Sequence, residues 1–161
     1  GGICCSSPPC ICVSMRKATY THGNMMHRRE FTVSIPSDSY VAETDYIGIT
    51  SGRDTDKFAD TGLTAVKSDR VNAPYVKEFP LVLDCQLVQV HELGLHTQYL
   101  GEVLAVKIDE DCLSDGEPNI ELLKPFLYSP DGSGYYATGK NLGRSFQAGK
   151  KFKVRKGGKK R

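Results

Sequence analysis

Apolar and polar positions set the element boundaries along this chain. Residues 9–15, PCICVSM, read as a buried strand. Thr21 is a candidate N-cap for a short helix running to Arg29. Phe31–Ile35 alternates at period two and forms a second strand, stopped by Pro36. Ser37 or Asp38 can cap a helix over Tyr40–Thr50. A short helical piece follows, with Gly62 as its C-terminal stop. Residues 66–80 are irregular. Leu81–His91, LVLDCQLVQVH, is the clearest strand. The turn Glu92-Leu93-Gly94 returns it as Thr97–Ile108, making a long hairpin. Gly101 within the return strand predicts a bulge or a close contact. From Asp109 onward loops and short apolar pieces dominate. Strands in the majority, with short helices inserted, predict an α+β, mainly β fold on an antiparallel sheet, closed as a barrel.

Composition narrows the class. The 161 residues suit one domain, and 39% hydrophobic with 25% charged is an ordinary globular balance. No apolar run approaches the length of a membrane helix. Net charge is only +2, but residues 149–161 carry eight basic residues and no acid. A domain over 1–150 with a basic tail at 151–161 is the expected organisation. No basic stripe with interleaved aromatics runs through the body, so no nucleic-acid role is expected.

Four of the six cysteines lie in GGICCSSPPCIC. Their spacing lacks the paired pattern of zinc sites, and no metal is expected. Reduced cysteines in a cytoplasmic protein fit better than a disulfide framework. Cys10 and Cys12 serve as small apolar strand residues. Cys4 and Cys5, beside Gly2, sit where backbone can approach a ligand. Arg16 and Lys17 with Thr19 and Thr21, just before a helix N-terminus, form a candidate anion cradle. The alternative is a solvated turn. Arg53 and Lys57 are a second basic source, flanked by Asp54 and Asp56, which leaves a surface salt-bridge loop as the other reading. His22, His27 and His91 read as surface residues, and Tyr135 and Tyr136 as packing.

Four stretches in order, GGICCSSPPCICVSMRKATYT, SGRDTDKFADTGLT, NAPYVKEFPLVLDCQL and HELGLHTQYLGEVL, resemble the flavin reductase-like proteins with an FMN-binding split β-barrel, flavoredoxin type. The resemblance implies an antiparallel split barrel from residue 1 to about 150, here without the family's N-terminal strands. It implies FMN as cofactor. Gly2, Ile3, Cys4, Cys5, Ser6 and Ser7 would face the flavin's polar rim, and Arg16, Lys17, Thr19, Thr21, Arg53 and Lys57 its phosphate. His96 would act near the nicotinamide or handle a proton. The implied activity is NAD(P)H-dependent flavin reduction, with electrons passed to flavin, iron or a redox protein. A non-catalytic FMN electron carrier and a flavin-free binding module are the alternatives. A homodimer is expected.

Overall fold

Two thirteen-residue strands, Leu81–Leu93 (β6) and His96–Ile108 (β7), form the spine of the protein in a computed structural model that describes residues 2–132 and 134–152. The distal part of the basic tail lies outside the described residues. The hairpin pairs Leu81 with Ile108 and closes at Leu93 and His96. Its turn is Gly94-Leu95, two residues later than the sequence suggested. Gly94 takes φ 61°, a left-handed value that glycine adopts without a Cβ penalty.

On the outer side of β7 lies Pro9–Arg16 (β2), followed by Gly2–Ser6 (β1); on the outer side of β6 lies Glu30–Ile35 (β3). All neighbours are antiparallel. The sheet order is therefore β1-β2-β7-β6-β3, with β1 and β3 as open edges. This corrects the closed barrel expected from the pattern: among the described residues the sheet does not close, because no strand bridges its two edges. Residues 2–6, quoted above as a ligand-facing segment, are themselves an edge strand.

The core gathers Ile11, Met25, Phe31, Cys85, Leu87 and Tyr99. Each large apolar side chain buried here contributes about 1.5–3 kcal/mol. Gly101 sits at its centre, paired with Ile11 on one side and Leu87 on the other. A Cβ there would collide with the Phe31 ring, with Cε1 at 2.7 Å, and would come 3.1 Å from Cys85 Cβ. The close contact predicted from sequence is real, and a bulge also occurs, in the facing stretch of β6 between Leu87 and Gln89.

Helix α1, Tyr20–Arg28, buries Met25 against this core. Its N-cap is Thr19 rather than Thr21, because the Thr19 side chain accepts the His22 N–H. Helix α2, Val41–Ile49, follows a 3₁₀ turn at Asp38–Tyr40, and helix α3, Lys57–Thr61, ends at Gly62 as expected. The segment read as irregular contains a small hairpin, Ala65–Lys67 (β4) with Pro74–Val76 (β5). Local apolar periodicity there is too short to reveal it. This hairpin region is tied to the sheet by Lys107, which pairs with buried Asp84 and lies 3.1 Å from Asp69. The later chain adds Leu113–Ser114 (β8) with Glu117–Pro118 (β9), helix α4 at Ile120–Leu123, and the hairpin Phe126–Ser129 (β10) with Gly134–Ala137 (β11). Tyr135 packs edge-on against Phe126 and donates to Asp45 at 2.8 Å, so it is a packing residue. No helix among the described residues is long and apolar enough to cross a membrane.

Candidate functional site

Strand β2 ends at Arg16, and the chain turns sharply into α1. The Thr19 N–H and hydroxyl both donate to the Arg16 carbonyl, at 3.0 and 2.9 Å, and its Oγ1 accepts from His22 N at 3.2 Å. That geometry fixes the helix start and leaves the first-turn amides of Tyr20 and Thr21 without intrahelical acceptors. Tyr20 and Thr21 line a cleft of about 840 Å³. Its opposite wall is the end of α2, the turn at Thr50–Gly52 and the start of α3. Gly52 belongs to this wall because a Cβ there would meet the Tyr20 ring at 3.2 Å.

The cleft's cations are Arg16 and Lys57. Lys57 Nζ donates to the Ile47 carbonyl at 2.6 Å, near the C-terminus of α2, where the helix dipole favours a positive charge. Burial pushes the Lys57 ammonium below its ordinary pKa. Asp56 also lines the cleft, but its carboxylate is committed to capping α3, accepting from Phe58 N and Ala59 N at 3.2 Å each. Two cations, a helix N-terminus and one occupied carboxylate leave the cleft electropositive. Met15, Ile47, Ile49 and Phe58 supply apolar walls. A second depression, about 320 Å³, is lined by Ser114, Glu117, Asn119 and Glu121. It is smaller, acidic and remote from these groups.

The structure thus brings Arg16, Thr19, Thr21 and Lys57 to one cavity. Arg53 is beside it, with Nη1 donating to the Ala18 carbonyl at 2.7 Å, so it braces the β2–α1 turn. Lys17 points elsewhere, to Glu92 at 2.6 Å near the hairpin end. His96 is exposed and directly opposite Arg16 across the β2–β7 pair. Gly2, Ile3, Cys4, Cys5, Ser6 and Ser7 do not line the cleft. Gly2 pairs with Cys12, which stands four residues before Arg16, or about 13 Å along the strand. Sequence reasoning missed the α2 contribution, Ile47 to Ile49, because an apolar helix end carries no local chemical signal. It also misread His22. That side chain is half-buried, and its Nδ1 meets the hydroxyl of fully buried Tyr99. Burial pushes the Tyr99 phenol up, so it keeps its proton in this hydrogen bond.

A family model described as "Flavin reductase like domain" matches residues 2–136. The chain belongs to the flavin reductase-like family. Among solved structures, this flavin reductase-like chain is 49% identical to the flavoredoxin of Desulfovibrio vulgaris (Miyazaki F), with a TM-score of 0.88, covering 92% of this chain and 80% of that one. A flavoredoxin from Methanosarcina acetivorans is 28% identical, also at TM-score 0.88, covering 94% and 80%. A curated relative, an "Uncharacterized protein" of Archaeoglobus fulgidus, is 33% identical over 71% of this chain. The chain spans 64% of that relative's length and 65% of a Pyrococcus abyssi relative's, less than two thirds of each. The mainly β architecture with short helices is the flavin reductase-like fold.

Proposed function

We propose that this flavin reductase-like protein binds FMN, with the phosphate seated in the β2–α1/α3 cleft, and uses it for redox chemistry. The fit rests on the donor set. Arg16, Lys57, Thr19, Thr21 and the N-terminus of α1 line one cavity with two cations and apolar walls, the Thr19 hydroxyl being committed to the Arg16 carbonyl. Its volume is that of a small-molecule site. When bound, FMN supplies the exchange between two-electron and one-electron transfer. The names of the two flavoredoxins support the same assignment.

Each residue then has a physical task. Lys57, held by the Ile47 carbonyl, keeps a cation fixed toward the phosphate without having to order a free side chain. Thr19 caps the helix entry through the His22 N–H and so fixes where α1 begins beside the cavity. Met15, Ile47 and Phe58 exclude water from it. Arg53 keeps the β2–α1 turn in place through Ala18. His96, opposite Arg16, is the candidate to carry a proton or meet a pyridine nucleotide at the cleft mouth. The outer backbone edge of β1, from Gly2 to Ser6 and on to Ser7, is the candidate donor edge for the flavin's polar rim. The open edges β1 and β3 suit a split barrel, and Leu104 and Val106, exposed on β7, suit a homodimer contact.

The reading takes the donor to be NAD(P)H and the acceptor to be flavin, iron or a redox protein. The likeness to flavoredoxin favours, as a second reading, a carrier that relays electrons between proteins without a nicotinamide step. Titration of the purified protein with FMN, followed by rapid mixing with NADPH or NADH, tests both. Saturable binding followed by fast bleaching supports the reductase. Binding without bleaching supports the carrier. Absence of binding overturns the site.

A further inference from the structure

The edge of the sheet places four of the six cysteines on β1 and β2. Cys5 stands directly opposite Cys10, Ile3 opposite Ile11 and Gly2 opposite Cys12, with Cys4 as the extra residue of a bulge. Directly opposed residues of an antiparallel pair project to the same side of the sheet, and alternate residues repeat that side. Cys5, Cys10 and Cys12 therefore share one side. The sulfurs feel one another. Cys10 is pushed up by burial and then by Cys5 and Cys4, and Cys4 by burial and then by Cys12 and Cys5.

Opposed Cα atoms in such a pair are about 4.5 or 5.5 Å apart, depending on their place in the ladder. Both values fall inside the range a disulfide spans, roughly 4.4–6.8 Å. Cys4, outside the regular register at the bulge, has its own thiol neighbour in Cys12. Exposure is also unequal within the favoured pair: Cys5 is exposed and Cys10 is buried. In the reduced chain Cys5 Sγ donates to the Ser7 carbonyl at 3.4 Å, a contact it gives up on bonding to Cys10.

We propose that Cys5 and Cys10 form a reversible cross-strand dithiol–disulfide couple that exchanges with low-molecular-weight disulfides of the glutathione class. Cys5, the accessible thiol, loses its proton to water. Its thiolate attacks one sulfur of the small disulfide, forming a mixed disulfide and releasing one thiolate. Cys10 then loses its proton and attacks the Cys5 sulfur. The second small thiolate leaves, and the Cys5–Cys10 bond is formed. Two protein thiols are oxidised by two electrons and one small disulfide is reduced to two thiols, which take up the two protons. The raised Cys10 thiol lowers the thiolate fraction available for the second step. Cys5 lies on the candidate flavin-facing edge, but the couple does not require the cofactor, so it is measured with and without FMN.

The test uses the whole protein, with and without added FMN, equilibrated in reduced and oxidised glutathione at graded ratios. Free thiols are counted after denaturation, and oxidised positions are located by differential alkylation and fragment mass spectrometry. The count should fall from six to four, with the second label on Cys5 and Cys10. Cys10→Ser should stop at one glutathione adduct on Cys5, and Cys5→Ser should form no internal disulfide. Cys4→Ser and Cys12→Ser should keep the couple. Circular dichroism verifies that each variant folds, and the wild-type label map decides the case if one does not. Six thiols surviving the most oxidising buffer, or a label on another pair, overturns the proposal.

Discussion

Lys57 Nζ donates to the Ile47 carbonyl at 2.6 Å, which fastens the start of α3 to the end of α2 and holds a cation in the wall of the cleft that the α1 N-terminus also lines. Two helices far from the sheet's centre are thereby made into one wall of the site.

Replacing Lys57 with methionine should weaken FMN binding roughly ten- to hundredfold, the worth of a charge-assisted hydrogen bond of about 1.5–3 kcal/mol. Fluorescence titration or equilibrium dialysis measures it. The pH dependence has a definite sign. Burial lowers the Lys57 pKa, so the folded chain releases this proton before the unfolded chain does. Folding stability attributable to Lys57 should therefore rise between its folded and unfolded pKa values, while phosphate affinity falls as pH rises through the folded value, below 10.5.

Lys17→Met provides the contrast. Its ammonium pairs with Glu92 in solvent, away from the cavity, and exposed pairs of this kind contribute little. FMN affinity should change by no more than about threefold, mainly through long-range charge that salt screens. A loss as large as that of Lys57→Met would show that Lys17 also contacts the phosphate.

Gly101→Ala should be destabilising by about 1–3 kcal/mol, because the new methyl must displace the Phe31 ring in a filled core. A thermal melt should show Tm lower by a few degrees per kcal/mol, about 2–4 °C in a domain of this size. An unchanged Tm would mean that Phe31 has room to move.

Lys107→Met should cost about 3–5 kcal/mol, since it strands the fully buried Asp84 carboxylate. Burial pulls the Lys107 pKa down, but the Asp84 and Asp69 carboxylates outweigh it and hold the pKa above its usual value. The wild-type contribution is thus complete below 10.5 and is lost as pH rises through the raised folded value. Chemical denaturation across alkaline pH should show that loss in the wild type and not in the variant.

The strands were legible because period-two patterning and long apolar runs are local signals: β2, β3, β6 and β7 fall within two residues of expectation. Gly62 as a helix stop was equally local. The β4–β5 hairpin was not, because three-residue strands carry too little pattern and are held by distant partners. Thr32 donates to the Pro74 carbonyl at 2.6 Å across 42 positions. Within the site, residue types were readable and directions were not. Arg16 and Lys17 are neighbours in sequence, yet one lines the cleft and the other joins Glu92.

The sequence by itself determined the antiparallel hairpin, the short helices, the family and the stock of cations, hydroxyls and thiols. The tertiary structure decided which of them meet. It set Lys57 against Ile47, His22 against Tyr99 and Cys5 against Cys10, and it left the sheet open at β1 and β3. The physical reason is that element identity follows from local backbone preference and apolar periodicity, whereas facing depends on register and on how helices settle over a shared core.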